Sequence, residues 1–340
     1  MEYGIVKKQE IEKLIKAAAE EYAAYAPVEG KDGSEFKQVD GGEEIVWDYQ
    51  NLKLSPKGIF FPQTETLYTF DYDTIEEIPV PDRKYLVLGS RPCDALALSY
   101  LDEIFSEENK GYYDPYYMRR REGSVMVSIA CNEPCATCFC TSVEGGPADE
   151  KGSDIIATDL GEELLFRSVS EKGEAFMKEH ESVLSKAEEG QKKKAEELAK
   201  QAEDAMEKLD FEKETLNEHM DNRFNDEQWK RMSQSCIGCG TCTYLCPTCY
   251  CFDISDEQKM YKGRRIRTWD SCQYPQFTKH ASGHNPRSNK TQRLRQRFMH
   301  KFSYTVENQG DIFCVGCGRC IKYCPVNIDI REFIKEFAKN

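Results

Sequence analysis

Two stretches of the chain repeat one arrangement of thiols. Cys236-Ile-Gly-Cys239-Gly-Thr-Cys242-Thr-Tyr-Leu-Cys246-Pro247 and Cys314-Val-Gly-Cys317-Gly-Arg-Cys320-Ile-Lys-Tyr-Cys324-Pro325 both read C-x2-C-x2-C-x3-C-P. Three thiolates so closely spaced wrap three irons of a [4Fe–4S] cube, and the fourth cysteine ligates the neighbouring cube. The spacing therefore assigns Cys236, Cys239, Cys242 and Cys324 to one cluster, and Cys314, Cys317, Cys320 and Cys246 to a second. Gly238, Gly240, Gly316 and Gly318 allow the tight turns between ligands. A zinc ribbon also uses paired C-x2-C, but it needs neither the fourth cysteine nor the terminal Cys-Pro, and here both occur twice.

Further thiols lie outside these motifs. Cys93, Cys131, Cys135, Cys138 and Cys140 follow strand ends or sit in one loop, which points to a third metal centre rather than to inert buried cysteines. Cys249, Cys251 and Cys272 follow the first motif. They would add a fourth cluster only with another ligand, for which Asp253, Asp270 and His284 stand open, as does a role as packed thiols.

Elements must bring these residues together. Lys84–Leu88 and Ser124–Ala130 read as apolar strands. If they are parallel neighbours, Cys93 and Cys131 project at one carboxyl edge, where open α/β sheets place their sites. Glu10–Tyr25 reads as an amphipathic helix, Gly30–Gly42 as a loop, and Glu44–Trp47, Gly58–Phe61 and Thr66–Phe70 as short strands. A helix is expected over Ala95–Phe105 with Asp94 as its N-cap, and a strand pair at Asp154–Ala157 and Leu164–Val169. Glu171–Glu227 is dense in Lys and Glu, with Ala195, Leu198, Ala199, Ala202, Met206 and Leu209 on one helical stripe. It reads as a charged helix packed on its own domain in preference to a partner-docking hairpin. The 67 residues between Cys246 and Cys314 exceed any simple loop, and Gln292–Lys301 and Ile328–Phe337 read as helices. The fold class is an α+β N-terminal domain (1–170), a charged helical connector (171–230) and a mainly α-helical ferredoxin-type dicluster domain (231–340). His180 and His219 read as solvated, and Trp47, Trp229 and Trp269 as packing anchors.

Composition narrows the setting. The 340 residues carry 16 cysteines and a formal net charge of −14, with mean hydropathy −0.68. No apolar run is long enough for a membrane span, and Met1–Glu10 lacks a secretory h-region. A reducing cytoplasm is expected, where thiols serve metal or redox chemistry rather than a disulfide framework. Residues 255–301 hold twelve Lys and Arg against three acids. Without aromatic stacking or a recognition motif this argues for offsetting anionic clusters, or facing an acidic partner, over nucleic-acid binding.

Arg91-Pro-Cys-Asp94, Thr137-Cys-Phe-Cys140, Cys246-Pro-Thr-Cys-Tyr-Cys251, Trp269-Asp-Ser-Cys272 and Gly283-His-Asn285 together resemble one family. It comprises the β subunit of cytoplasmic sulfhydrogenases (nickel–iron hydrogenases) and the corresponding iron–sulfur subunit of anaerobic sulfite reductase. The resemblance implies that Cys93, Cys131, Cys138 and Cys140 hold the third cluster, with Cys135 the extra thiol. It also implies an electron-transfer subunit of a cytoplasmic anaerobic hetero-oligomer. Its partners would be a flavoprotein that reacts with NAD(P) and a catalytic subunit, either a hydrogenase or a sulfite reductase. An electron-bifurcating complex and a zinc-stabilised scaffold are the alternatives. The chain has no G-x-G-x-x-G after a strand and no nickel–iron ligand set, so no catalytic residue is expected.

Overall fold

The computed structural model describes residues 2–106 and 112–339. The chain divides into two units, one of Met1–Phe60, Val80–Glu207 and Val315–Cys317, the other of Phe61–Pro79, Lys208–Cys314 and Gly318–Asn340. Its strands are β1 (Tyr3–Lys7), β2 (Tyr22–Val28), β3 (Glu35–Val39), β4 (Thr64–Phe70), β5 (Ile75–Glu77) and β6 (Lys84–Ser90). They continue with β7 (Val125–Ile129), β8 (Ile155–Asp159), β9 (Glu163–Ser168), β10 (Ser185–Lys186), β11 (Phe252–Lys259) and β12 (Lys262–Trp269).

In the first unit eight strands form one sheet in the order β10-β1-β9-β8-β7-β6-β2-β3. Its middle, β2-β6-β7-β8, is parallel, and antiparallel strands flank it on both sides. Every residue of β7 is buried, as is every residue of β6 after Lys84. Such unbroken apolar runs belong to a parallel sheet covered on both faces. Helix Ile11–Ala18 presents Ile11, Leu14, Ile15 and Ala18 to the core, the i, i+3, i+4, i+7 stripe of a half-buried helix. There they meet Leu86, Val127, Ile155 and Phe176.

This helix stops at Ala18 instead of reaching Tyr25, because Tyr22–Val28 is buried at six of seven positions and fills a strand slot between β3 and β6. Gly58–Phe61 is also not a strand. Lys57–Phe60 makes a helical turn that ends just before Phe61, whose following Pro62 biases it toward extended backbone. The expected loop 30–42 contains β3. Helix Glu189–Asp204 lies on its own sheet, with Ala195 packed on the Ile5–Leu165 cluster and Lys192 over the Tyr3 ring at 4.8 Å. His180 is buried against Phe176, ring centroids 4.5 Å apart, and is not solvated.

The second unit combines helices with an antiparallel sheet ordered β11-β12-β4-β5. Opposite charges face each other across the β11–β12 hairpin, Asp256 with Arg265 and Glu257 with Arg264. Met260 closes the hairpin in the left-handed region at φ 57°. Arg267 Nε donates to Glu65 Oε1 at 2.9 Å in a buried ion pair tying β12 to β4. Helix Ile330–Ala338 buries Ile330, Phe333, Ile334 and Phe337. Phe333 stacks on Phe298 at 3.9 Å, and Phe337 stacks on Trp229 at 4.4 Å. His219 is tied down too, with Nδ1 3.0 Å from the Phe337 carbonyl. Helix Lys290–Met299 starts from a capping box of Asn289 and Gln292, passes through a π turn at His300–Tyr304 and resumes as Thr305–Gln309. Among the described residues no helix is long and apolar enough to cross a membrane.

Candidate metal centres

The first motif wraps around a cavity in the second unit. Cys236, Cys239, Cys242 and the distant Cys324 all line it, together with Cys320 of the second motif and with Leu294, Arg297 and Phe298. The turns between ligands need left-handed backbone, with Gly238 at φ 69° and Gly240 at φ 77°. A Cβ on Gly240 would stand 2.7 Å from Tyr274 Oη. Backbone amides already point at sulfur here: Gly238 N–H donates to Cys236 Sγ at 3.4 Å, and Ile328 N–H to Cys324 Sγ at 3.2 Å. Burial pushes the Cys242 thiol up to about 12.

A second thiol group in the same unit surrounds two cations. Lys301 Nζ donates to Thr248 Oγ1 at 2.7 Å and to the Phe313 carbonyl at 2.9 Å, and Thr248 Oγ1 lies 3.3 Å from Cys246 Sγ. Burial opposes the charge on Lys301, but Cys246, Cys249 and Cys314 favour it, and its pKa rises. Arg297 is treated likewise by Cys242, Cys320, Cys246 and Cys249. The Cys249 thiol holds Cys246 well below the ordinary thiol range against the effect of burial, with help from Lys301 and Arg297. Cys249, Cys251 and Cys272 line a further cavity with Tyr250, Arg297, His300 and Lys301. Hydrogen bonding from Cys251 brings Cys272 down to about 6. Burial brings His300 to about 4, so its ring is neutral beside Tyr250 Oη at 2.9 Å.

In the first unit β6 and β7 are parallel neighbours, so the segments bearing Cys93 and Cys131 leave the sheet at one carboxyl edge. Helix Pro92–Phe105 begins with Arg91 as N-cap; Asp94 lies buried in its first turn instead of capping it. The Cys135–Cys140 loop is laced to Val315–Cys317. Phe139 N–H donates to the Gly316 carbonyl at 2.8 Å, Asn51 Nδ2 to the Cys317 carbonyl at 2.7 Å, and Cys138 Sγ lies 3.5 Å from that carbonyl. Hydrogen bonding to Cys135, then burial, pushes the Cys138 thiol up, with Cys93 and Cys317 adding to it. Burial takes Cys140 up to about 12, with Cys131 and Cys317 adding to it. This unit thus gathers Cys93, Cys131, Cys135, Cys138, Cys140 and Cys317, while Cys314, Cys320 and Cys246 belong to the other.

Among the described residues no group of three or more His, Cys, Asp or Glu side chains is placed to hold a single metal ion. Two buried guanidinium donors, Arg91 Nε and Arg297 Nε, have no hydrogen-bond partner. Arg91 otherwise donates to the Ile129 and Ala130 carbonyls at 3.3 and 3.1 Å, with Cys93 and Cys131 among the groups favouring its charge. Acceptor sulfurs beside each arginine would meet that need.

Sequence reasoning gave Arg91 no role of its own and placed Arg297 and Lys301 only within a basic stretch that offsets anionic clusters or faces an acidic partner. A signal was present for two of them: Leu294, Arg297, Phe298 and Lys301 are spaced i, i+3, i+4, i+7, so two cations occupy an inward stripe.

The 4Fe-4S dicluster domain family matches residues 235–328. Across 313 residues the chain is 31% identical to the Sulfhydrogenase 2 subunit beta of Pyrococcus furiosus, covering 92% of this chain and 91% of that protein. No solved structure matches it significantly.

Proposed function

Because the chain belongs to the sulfhydrogenase β-subunit family of 4Fe-4S dicluster proteins, we propose that it is the relay subunit of a cytoplasmic, anaerobic oxidoreductase complex. Its partners in this reading are a flavoprotein that reacts with NAD(P) and a catalytic subunit, either a hydrogenase or a sulfite reductase. The observation that carries the reading is the cavity shared by Cys236, Cys239, Cys242 and Cys324, residues far apart in sequence. Bound [4Fe–4S] clusters supply one-electron carriers whose potentials depend on charge, N–H···S bonds and burial.

The chain's own part is to hold thiolates, exclude water and fix the surrounding charge. We assign Cys236, Cys239, Cys242 and Cys324 to one cluster; Cys314, Cys317, Cys320 and Cys246 to a second; and Cys93, Cys131, Cys138 and Cys140 to a third. Cys249, Cys251 and Cys272 are candidates for a fourth. The two motifs fall in a ferredoxin-type region (231–340) whose helices are accompanied by the β11–β12 hairpin and whose Val315–Cys317 fold with the first unit.

Counting iron, acid-labile sulfide, zinc and flavin on the full chain purified without oxygen tests this. About twelve irons per chain, four to each cube, with flavin far below one, is the expected result. About sixteen would add the cluster of Cys249, Cys251 and Cys272. Eight with one zinc would turn the N-terminal thiols into a structural site, and stoichiometric flavin would replace the relay with a self-contained flavoenzyme. Within the third set, Cys138→Ser should lose about four irons and Cys135→Ser none. Equal loss from both would overturn that choice of ligands.

A further inference from the structure

Helix Lys290–Met299 and the π turn after it carry two cations into the interior of the second unit. Arg297 and Lys301 are each 4% exposed. They stand one helical turn apart, a spacing at which like charges repel. Among the described residues neither forms an ion pair with a carboxylate. Arg297 lines both the cavity of Cys236, Cys239, Cys242 and Cys324 and that of Cys249, Cys251 and Cys272. Its Nη2 donates to the Cys242 carbonyl at 3.2 Å, and its Nε has no partner. Lys301 is fixed by Thr248 and Phe313, one hydroxyl away from Cys246 Sγ.

Burying two unpaired cations is unfavourable unless negative charge lies close by, and the groups placed there are thiols. A cube held by four thiolates is an anion, and reduction adds one further negative charge. A fixed cation beside it therefore favours the reduced form over the oxidised one. Resting on the relay reading above, we propose that Arg297 and Lys301 are positioning charges that raise the reduction potentials of the clusters whose thiols lie beside them. Arg297 acts on the set that includes Cys242, and Lys301 on the set that includes Cys246. One electron enters, no bond forms or breaks, and no proton accompanies it, because the compensating charge is already in place.

An EPR-monitored redox titration of the full chain, with iron and sulfide counted on each sample, tests the proposal. Arg297→Gln and Lys301→Gln should keep their iron and shift the oxidised-to-reduced equilibrium at least tenfold toward oxidised, a midpoint lower by about 59 mV for one electron. Arg297→Lys and Lys301→Arg, which keep the charge, should stay near the unsubstituted midpoint. Full iron with unchanged midpoints in both Gln variants would overturn the proposal. If the Gln variants lose iron, the charge-conserving pair decides. Retained iron and midpoint there support it, while equal iron loss would show that shape rather than charge is needed and would overturn it. Absence of clusters from the unsubstituted chain would instead refute the relay reading itself.

Discussion

Replacing Cys324 with serine is expected to abolish the cluster built on the other motif: iron falls by about four per chain, and the EPR signal that disappears is that of the Cys236–Cys239–Cys242 set. Cys324 lies 82 residues beyond Cys242 in sequence, yet both line one cavity. The amide of Ile328 already points at its sulfur. Serine oxygen is a hard ligand where iron–sulfur chemistry selects soft thiolate, so the iron that Cys324 would hold loses its thiolate and the cube becomes labile. Cys246→Ser is the reciprocal experiment and should remove the signal of the Cys314–Cys317–Cys320 set. If each substitution silenced the cluster of its own motif, the interlocked assignment would be wrong.

A second large effect should come from a residue that touches no thiol. Glu65→Ala is expected to destabilise the second unit by about 3–5 kcal/mol, the usual consequence of removing one partner of a buried ion pair. Arg267 and Glu65 have side chains only 3% and 7% exposed. The guanidinium also sits over the rings of Phe61 and Phe252 at 5.0 and 5.4 Å, so it has no easy route to water once its carboxylate is gone. The double replacement Glu65→Leu with Arg267→Met removes both charges and should recover most of the loss. Hydrogen exchange across β4 and β12 reads the effect locally, which suits a chain of two units whose global unfolding need not be two-state. A single substitution costing under about 1 kcal/mol would show that the buried pair is not what ties β12 to β4.

The residues show why parts of this molecule were legible and others were not. The motif cysteines announce themselves because ligand spacing is set by the cube, whatever surrounds it. The strands now seen as β6 and β7 were legible because parallel strands buried on both faces leave uninterrupted apolar runs. β2 was not, since Tyr22-Ala-Ala-Tyr-Ala continues the alanine-rich composition of the helix before it, and only the slot beside β6 decides in favour of a strand. The β11–β12 hairpin is hard to read because eight of its eighteen residues are charged and no apolar run marks it. Its register lies in pairs such as Asp256 with Arg265, visible only once the turn at Met260 is known. Arg297 and Lys301 lie in a basic stretch that reads as offsetting anionic clusters or facing an acidic partner, but which of its cations are buried is not legible, because burial of a cation depends on what the fold brings opposite it.

The π turn at His300–Tyr304 gives that helix one residue more than an α-helix would use over the same turn. Each residue of an α-helix advances the chain by about 100°. Deleting any one of the five would regularise the helix. Because the wide turn holds the extra residue, its loss would leave the face bearing Leu294, Arg297 and Phe298 nearly in phase with Thr305, whose hydroxyl receives the Phe313 amide just before the second motif, whereas a further residue would swing it by about that angle. The segment therefore acts as a phase-setter between two stretches of chain. Lys301, Phe302 and Ser303 are buried there, so identity is constrained as well as phase, and a further residue in the segment should be tolerated worse than the loss of one.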